Sequence, residues 1–193
     1  MIEINLRDAL NGRQFYVAEL SEKFGIEIRA VRHDVATDTC FEKAELLGWP
    51  ADRIVKAIFV HKDEDFYGFV FPELGKESPR HLDIKETLPK VIDVSKKQAK
   101  DFRNSYCPDG MEYGTCTPFV LEDSFSERKI KKLRKIFIHE MNYQESSLAD
   151  ISIGGFGENA HKTSLHIGYS DIYKILKENF GDRIVKTNLF DNI

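Results

Sequence analysis

Residues 54–61 read Ile54-Val55-Lys56-Ala57-Ile58-Phe59-Val60-His61, and across the polar turn Lys62-Asp63-Glu64-Asp65 comes Phe66-Tyr67-Gly68-Phe69-Val70-Phe71. Runs rich in β-branched and aromatic residues on either side of a short polar turn predict two β-strands. Side chains of a strand alternate between its faces. In the first run Ile54, Lys56, Ile58 and Val60 share one face, and Val55, Ala57, Phe59 and His61 the other. Both faces are apolar except for Lys56 and the terminal His61, which is the pattern of a strand covered on both sides.

Outward from this pair, helical and extended patterns interleave irregularly. Towards the N-terminus, residues 14–24 carry Phe15, Val17, Ala18, Leu20 and Phe24 and then Gly25, a short amphipathic helix with a glycine stop. Ile26–Val31 reads as a strand, and Phe41–Leu47 as a helix closed by Gly48, with Pro50 beyond the stop. Towards the C-terminus, 72–90 is loop-rich with a helical turn near Asp83–Leu88. A short strand at Val91–Val94 and a serine-capped helix at Ser95–Asn104 follow. Tyr106–Pro118 is turn chemistry, with a strand expected at Phe119–Glu122 and a basic helix at Ser126–Phe137. Ile151–Ile153 and Thr163–Ile167 read as the last strand pair, and Asp171–Phe180 as a final helix ended by Gly181. This order predicts an α/β (α+β) fold, with a curved, mostly antiparallel or mixed sheet, barrel-like, and helices packed outside it.

With 193 residues and no repeat or Pro/Gly/Ser-rich linker, the chain reads as a single domain over 1–193. The opening Met1-Ile-Glu-Ile-Asn-Leu-Arg-Asp lacks the apolar core of a signal peptide, and no apolar run approaches the roughly 18 residues of a membrane helix. Three cysteines, an odd number, make no disulfide framework, so a cytoplasmic protein is expected. The formal charge of −4 argues against a protein that coats nucleic acid, and confines any RNA contact to a strand end or a local basic patch.

Two features carry possible chemistry. A lysine is almost never fully buried without a partner, and an unpaired buried ammonium costs several kcal/mol or loses its charge. Lys56 therefore either snorkels to solvent from the start of its strand, or opens into a polar cleft where its compact ammonium holds an oxygen-rich ligand. The second feature is Gly110-Met111-Glu112-Tyr113-Gly114-Thr115-Cys116-Thr117-Pro118. Its glycines permit positive φ and close approach to backbone, and successive amides in such a turn can form an anion-accepting nest. Pro118 biases Thr117 towards extended backbone. The same residues also make a plain surface turn.

Together the two features resemble the YbaK and prolyl-tRNA synthetase editing-domain (INS) superfamily of aminoacyl-tRNA deacylases. The resemblance rests on Lys56 in IVKAIFV after EKAELLGW, followed by Gly114-Thr115-Cys116-Thr117-Pro118 as a GxxxP loop. His33-Asp34-Val35-Ala36-Thr37 resembles the His-containing strand exit of that family, and ISIGG…TSLHIGYSDIYKIL its closing strands and last helix. It spans roughly residues 26–180, leaving 1–25 as an N-terminal extension and helix, with 1–13 as an addition. The connection at Asp123–Leu148 is longer than usual. Some alanine-specific relatives carry a histidine where this chain has Gly154-Gly155, which points away from alanine.

The resemblance implies a trans-editing enzyme that hydrolyses the ester of a mischarged tRNA, tRNA-Pro being one candidate, in the service of translation fidelity. Its partners would be the 3′ end of aminoacyl-tRNA and, as a further candidate, an aminoacyl-tRNA synthetase; neither DNA, a membrane nor a cofactor is implied. Lys56 and Gly114 would be catalytic, and His33, Thr37, Gly110, Thr115, Cys116, Thr117 and Pro118 would bind substrate. Loop amides would stabilise the tetrahedral oxyanion, and the substrate's ribose hydroxyl would help position the water. A noncatalytic tRNA or aminoacyl-ligand binder of the same fold, or a hydrolase of another small ester or amide, would also suit these residues.

The remaining candidates read more simply. Cys116 as a nucleophile would need a low-pKa setting, and a small buried residue beside the loop is the plainer reading. His161 and His166 are five apart, which would put them on opposite faces of a strand. Six histidines and three cysteines show no zinc-ligand spacing, so no metal is expected. Arg128–Lys135, with Ile130, Leu133 and Phe137 inward on the expected helix, presents either a solvated face or a tRNA phosphate contact, the latter with salt-dependent affinity.

Overall fold

The computed structural model describes residues 1–11, 14–73, 88–89, 91, 95–108, 110–112, 114–120, 132–140 and 147–189. Among the described residues nine strands form one mixed sheet: β1 (Ile2–Ile4), β2 (Ile28–Arg32), β3 (Ile54–Lys62), β4 (Asp65–Pro72), β5 (Arg103–Tyr106), β6 (Lys132–His139), β7 (Leu148–Ser152), β8 (Thr163–Gly168) and β9 (Ile184–Thr187). Their order is β1-β2-β8-β7-β3-β4-β6-β9, with β5 on β3 off this path. The path ends at β1 and β9, so the sheet is open and does not close into a barrel. β3 and β4 pair antiparallel through the two-residue turn Asp63-Glu64, where Asp63 takes a φ of 51°. β3 runs parallel to β7, and β6 parallel to both β4 and β9.

The alternation of β3 separates two apolar clusters. Val55, Ala57 and Phe59 face the larger one, with Ala30, Ile151 and Leu165. Over it lie α2 (Phe15–Phe24), through Val17 and Ala18, and α6 (Tyr169–Phe180). The latter is helical because Tyr169, Ile172, Ile175, Leu176 and Phe180 recur on one stripe. Val60 faces the smaller cluster of Phe69, Phe71, Phe102 and Phe137. Fully burying side chains of this size contributes roughly 1.5–3 kcal/mol each.

The other α-helices among the described residues are short: α1 (Leu6–Ala9), α3 (Cys40–Leu47), α4 (Lys96–Lys100) and α5 (Gly157–His161). α3 begins with a capping box, in which the Thr39 hydroxyl accepts from the Glu42 amide and the Glu42 carboxylate reaches back. It ends at Gly48 with φ 65°. Ser95 and Gln98 cap α4 in the same reciprocal way.

Several expected elements differ. Lys132–His139 is a strand, not the end of a basic helix; residues 126–131 lie outside the described residues. The spacing of Leu133 and Phe137 suits a helix, but the run Ile136-Phe137-Ile138 is buried on both faces between β4 and β9. The register shifts by one residue between Leu133 and Lys135, so Arg134 is the bulged residue and bonds Asp65 at 2.8 Å. The helix after Ser95 stops at Lys100, and Arg103–Tyr106 instead adds a strand to β3. Phe119 and Val120 are buried but not in a strand; 121–122 lie outside the described residues. Leu88, Pro89 and Val91 are helical where a strand was expected from Val91, while 92–94 and most of the turn expected near Asp83–Leu88 also lie outside them. β9 follows the strand pair expected to be the last.

Candidate functional site

Facing residues on neighbouring strands share a sheet face, and the register assembles a polar row from three separate segments. Val31 pairs with Ser164 and Ser164 with Ser152; His166 pairs with Asp150 and Asp150 with Ile54. By alternation, Ser152, Ser164, His166, Asp150 and Lys56 lie on one face, opposite Ile151, Leu165 and Val55. α3 contributes Lys43 to this face, and the residue after its glycine cap contributes Trp49, whose ring sits 4.6 Å from that of His166.

Lys56 is neither unpaired nor wholly snorkelled. Its ammonium bonds the carboxylate of Glu73. The lysine side chain is 31% exposed and that of Glu73 only 4%. The hairpin register explains the meeting: Lys56 faces Phe71, so Glu73, two residues on, lies on the same side, its amide bonded to the Ile54 carbonyl at 2.8 Å. Cys40, at the start of α3, lies within the field of Lys56, Glu73, Asp150 and Lys43, and burial pushes its thiol up to about 11.

Asp150 is the centre of a second group. Burial raises its pKa, but the adjacent His166 ring, the nearby Lys43 ammonium and the Ser164 hydroxyl outweigh that and hold the carboxyl below the ordinary range. Its Oδ2 lies 3.2 Å from His166 Nε2 and accepts a bond from Ser164, and its Oδ1 lies 3.8 Å from Lys43 Nζ. His33 Nε2 stands 3.0 Å from Ser164 Oγ. Burial, followed by the Lys43 charge, lowers the His33 pKa to about 4 against the pull of Asp150.

The glycine turn is built against the segment after β7. Gly110 and Gly114 have φ of 85° and 86°, the left-handed region open to glycine. Thr115 Oγ1 lies 2.9 Å from the Gly155 carbonyl, the Glu112 amide donates to that carbonyl at 3.1 Å, and the Gly157 amide donates to the Glu112 carboxylate at 2.6 Å. His161 Nε2 approaches the same carboxylate at 3.2 Å. Gln14, from the start of α2, ties the turn's exit to β7 by donating to Phe119 and Ile153 carbonyls at 3.0 and 2.7 Å. The Thr115 amide is spent on the Glu112 carbonyl at 3.1 Å.

Ser152 ties the turn to β7: its hydroxyl donates to the Thr115 carbonyl at 2.8 Å. The parallel pairing of β3 with β7 runs through Ile54–Asp150 and Val55–Ile151, the residues that precede Lys56 and Ser152. The other expected site residues are distributed unevenly. Thr115, Thr117 and Pro118 are buried in the wall of the turn, Cys116 is half-buried, and Gly110 is exposed at its start. His33 is buried at the exit of β2, and Thr37 lies half-buried in the connection between β2 and α3. Cys116 Sγ faces Cys107 Sγ at 3.7 Å; burial, then that neighbouring thiol, raises its pKa far above the ordinary value. His161 closes α5 while His166 lies within β8, so they do not share a strand. Glu73, Lys43, Asp150 and Ser164 were missed in the sequence. Asp150 had a signal of the same kind as Lys56, an ionic residue inside the apolar run Ala149–Ile153.

No family model matches the chain, and no curated protein matches it in sequence. Solved structures do. A protein described as a candidate trans-editing enzyme for prolyl tRNA synthetase is similar with a TM-score of 0.59 at 14% identity, over 95% of this chain and 99% of that one. A scaffold from the computational grafting of linear epitopes gives 0.58 at 14% identity, over 95% and 100%. The hypothetical protein APE2540 gives 0.51 at 19% identity, over 89% and 97%. The chain thus has the fold of that candidate trans-editing protein along nearly its whole length. Among the described residues no helix is long and apolar enough to cross a membrane.

Proposed function

We propose that the protein is a freestanding deacylase that hydrolyses the ester between an amino acid and the terminal ribose of a mischarged tRNA. What supports this reading is a cationic residue on β3 and a glycine turn bonded to the end of the adjoining strand β7, within a fold shared with a candidate trans-editing protein. Attack on the ester creates a tetrahedral oxyanion, and loss of one backbone-type donor to such an oxygen typically costs about 10²–10³ in rate. With the Thr115 amide already engaged, the amides of Cys116 and Thr117 are the donors this reading assigns. Gly114 lets the backbone approach the ester.

Lys56, held by Glu73, serves as a fixed positive charge that orients the terminal phosphate or the ester oxygen. It positions the substrate, and the water is oriented by the substrate's own ribose hydroxyl. The raised Cys116 thiol is a poor nucleophile, which favours direct hydrolysis over an acyl-enzyme. The acidic balance of the chain suits contact with the tRNA end alone. On this reading the protein works in the cytoplasm, with aminoacyl-tRNA as its partner.

The test is amino-acid release from a panel of mischarged tRNAs. Release from at least one of them, beyond spontaneous hydrolysis, is expected. Binding of the charged tRNA without release would instead make the protein a noncatalytic recognition module.

A further inference from the structure

We propose that His33, Asp150 and His166 form a binding site for a first-row divalent transition-metal ion, zinc foremost, beneath helix α3. One ligand atom from each residue lies within 4.8 Å of the other two. The three side chains come from the exit of β2, from β7 and from β8, so chain spacing of 117 and 16 residues conceals a grouping that the strand register creates. Each is at most 5% exposed.

The geometry at His166 supports this site. Its Nε2 stands 3.2 Å from Asp150 Oδ2, yet it has no hydrogen-bond partner of sound alignment among the described residues. Two electron-rich atoms that approach without lining up as donor and acceptor are disposed as ligands converging on a third atom. Nearly all buried polar atoms have a hydrogen-bond partner, so this buried nitrogen requires an explanation. Nε2 of His33 is shared with Ser164, and its Nδ1 has no partner among the described residues.

Two imidazoles and a carboxylate are the donor set of zinc and its first-row neighbours, with a further position left for water. The surroundings supply outer support. Ser164 bonds the Asp150 carboxylate and His33 together, orienting two ligands at once. The Trp49 ring covers His166 at 4.6 Å. Lys43 opposes a dication by its charge, but it stands 3.8 Å from the other carboxylate oxygen, and coordination through Oδ2 leaves that outer pairing in place. The inference is independent of the deacylase reading, and its readout is metal content.

Tag-free protein is stripped with a chelator, titrated with Co²⁺ by visible absorption, then exchanged with Zn²⁺, desalted and analysed by mass spectrometry. The expected result is one equivalent of Co²⁺ giving ligand-field bands of a low-coordinate site, displaced by one retained zinc. Binding is lost in His166→Ala and Asp150→Asn, whose folding is checked by circular dichroism. It survives in His161→Asn, a histidine outside the cluster. Should both cluster variants fail to fold, His33→Gln and the wild-type stoichiometry decide. Absence of the cobalt bands and of retained zinc in the wild-type protein overturns the proposal. So does one-to-one binding that persists in a folded variant lacking one of the three ligands.

Discussion

At the scale of single residues, Lys56 and Glu73 behave as a unit. Removing one partner of a buried ion pair leaves the other charge without compensation, at a cost of about 3–5 kcal/mol when both are enclosed. Here the lysine is one-third exposed and the carboxylate enclosed, so the two halves are unequal. Lys56→Ala is expected to destabilise the fold by about 2–3 kcal/mol and Glu73→Gln by less, because the ammonium can still turn to water. Urea unfolding of both single variants and of the double variant measures this. The double variant should be more stable than the sum of the singles predicts.

The thiols give a second prediction at this scale. Because burial raises Cys116, and lifts Cys40 to about 11, Cys116→Ser should retain activity within about twofold, and iodoacetamide at pH 8 should modify these thiols slowly. Rapid alkylation of Cys116, with loss of activity that follows it, would restore the nucleophile. Lys56 was legible in the sequence because an ionic residue in an apolar strand is anomalous. Glu73 was legible only through pairing, since its place beside the lysine follows from the Asp63-Glu64 turn and not from its neighbours in the chain.

At the scale of elements, the glycine turn makes the sharper demand. Gly114 has a φ of 86°, and an added Cβ would stand 3.2 Å from His161 Cε1. Gly114→Ala therefore meets both backbone strain and a close contact with the ring that pairs with Glu112. A loss of about 1–3 kcal/mol by denaturant unfolding is expected, with a larger relative fall in deacylation than the stability loss explains. Full activity in this variant would separate the turn from the chemistry. The helices that carry glycine stops, α2 and α3, were plain from the sequence because cap and periodicity agree. β6 was not: Leu133 and Phe137 share a helical stripe by accident of spacing, while the sheet that buries Ile136-Phe137-Ile138 on both faces is set by β4 and β9, far away in the chain. The His33–Asp150–His166 grouping was hidden for the same reason. Register between distant strands makes it, and no local pattern records register.

At the scale of the whole molecule, the open nine-strand sheet divides the labour between its faces. One face meets α2 and α6 through a continuous apolar layer, which leaves a region of the other face to carry ionic residues beneath α3. That division lets a stable core hold buried charges that would otherwise count against it. It also places Lys56 where its strand and the Glu73 carboxylate both constrain it, as a positioning charge must be. The likeness of the fold to a candidate trans-editing protein bears on function only through such particulars. The most direct test is therefore single-turnover release of amino acid from mischarged tRNA, with wild-type protein and a Lys56→Ala variant verified as folded at the assay temperature. The account predicts release by the wild-type protein and a fall of at least about tenfold, equivalent to 1.4 kcal/mol in the barrier, in the variant. No release from any charged tRNA, or full activity without Lys56, would contradict it.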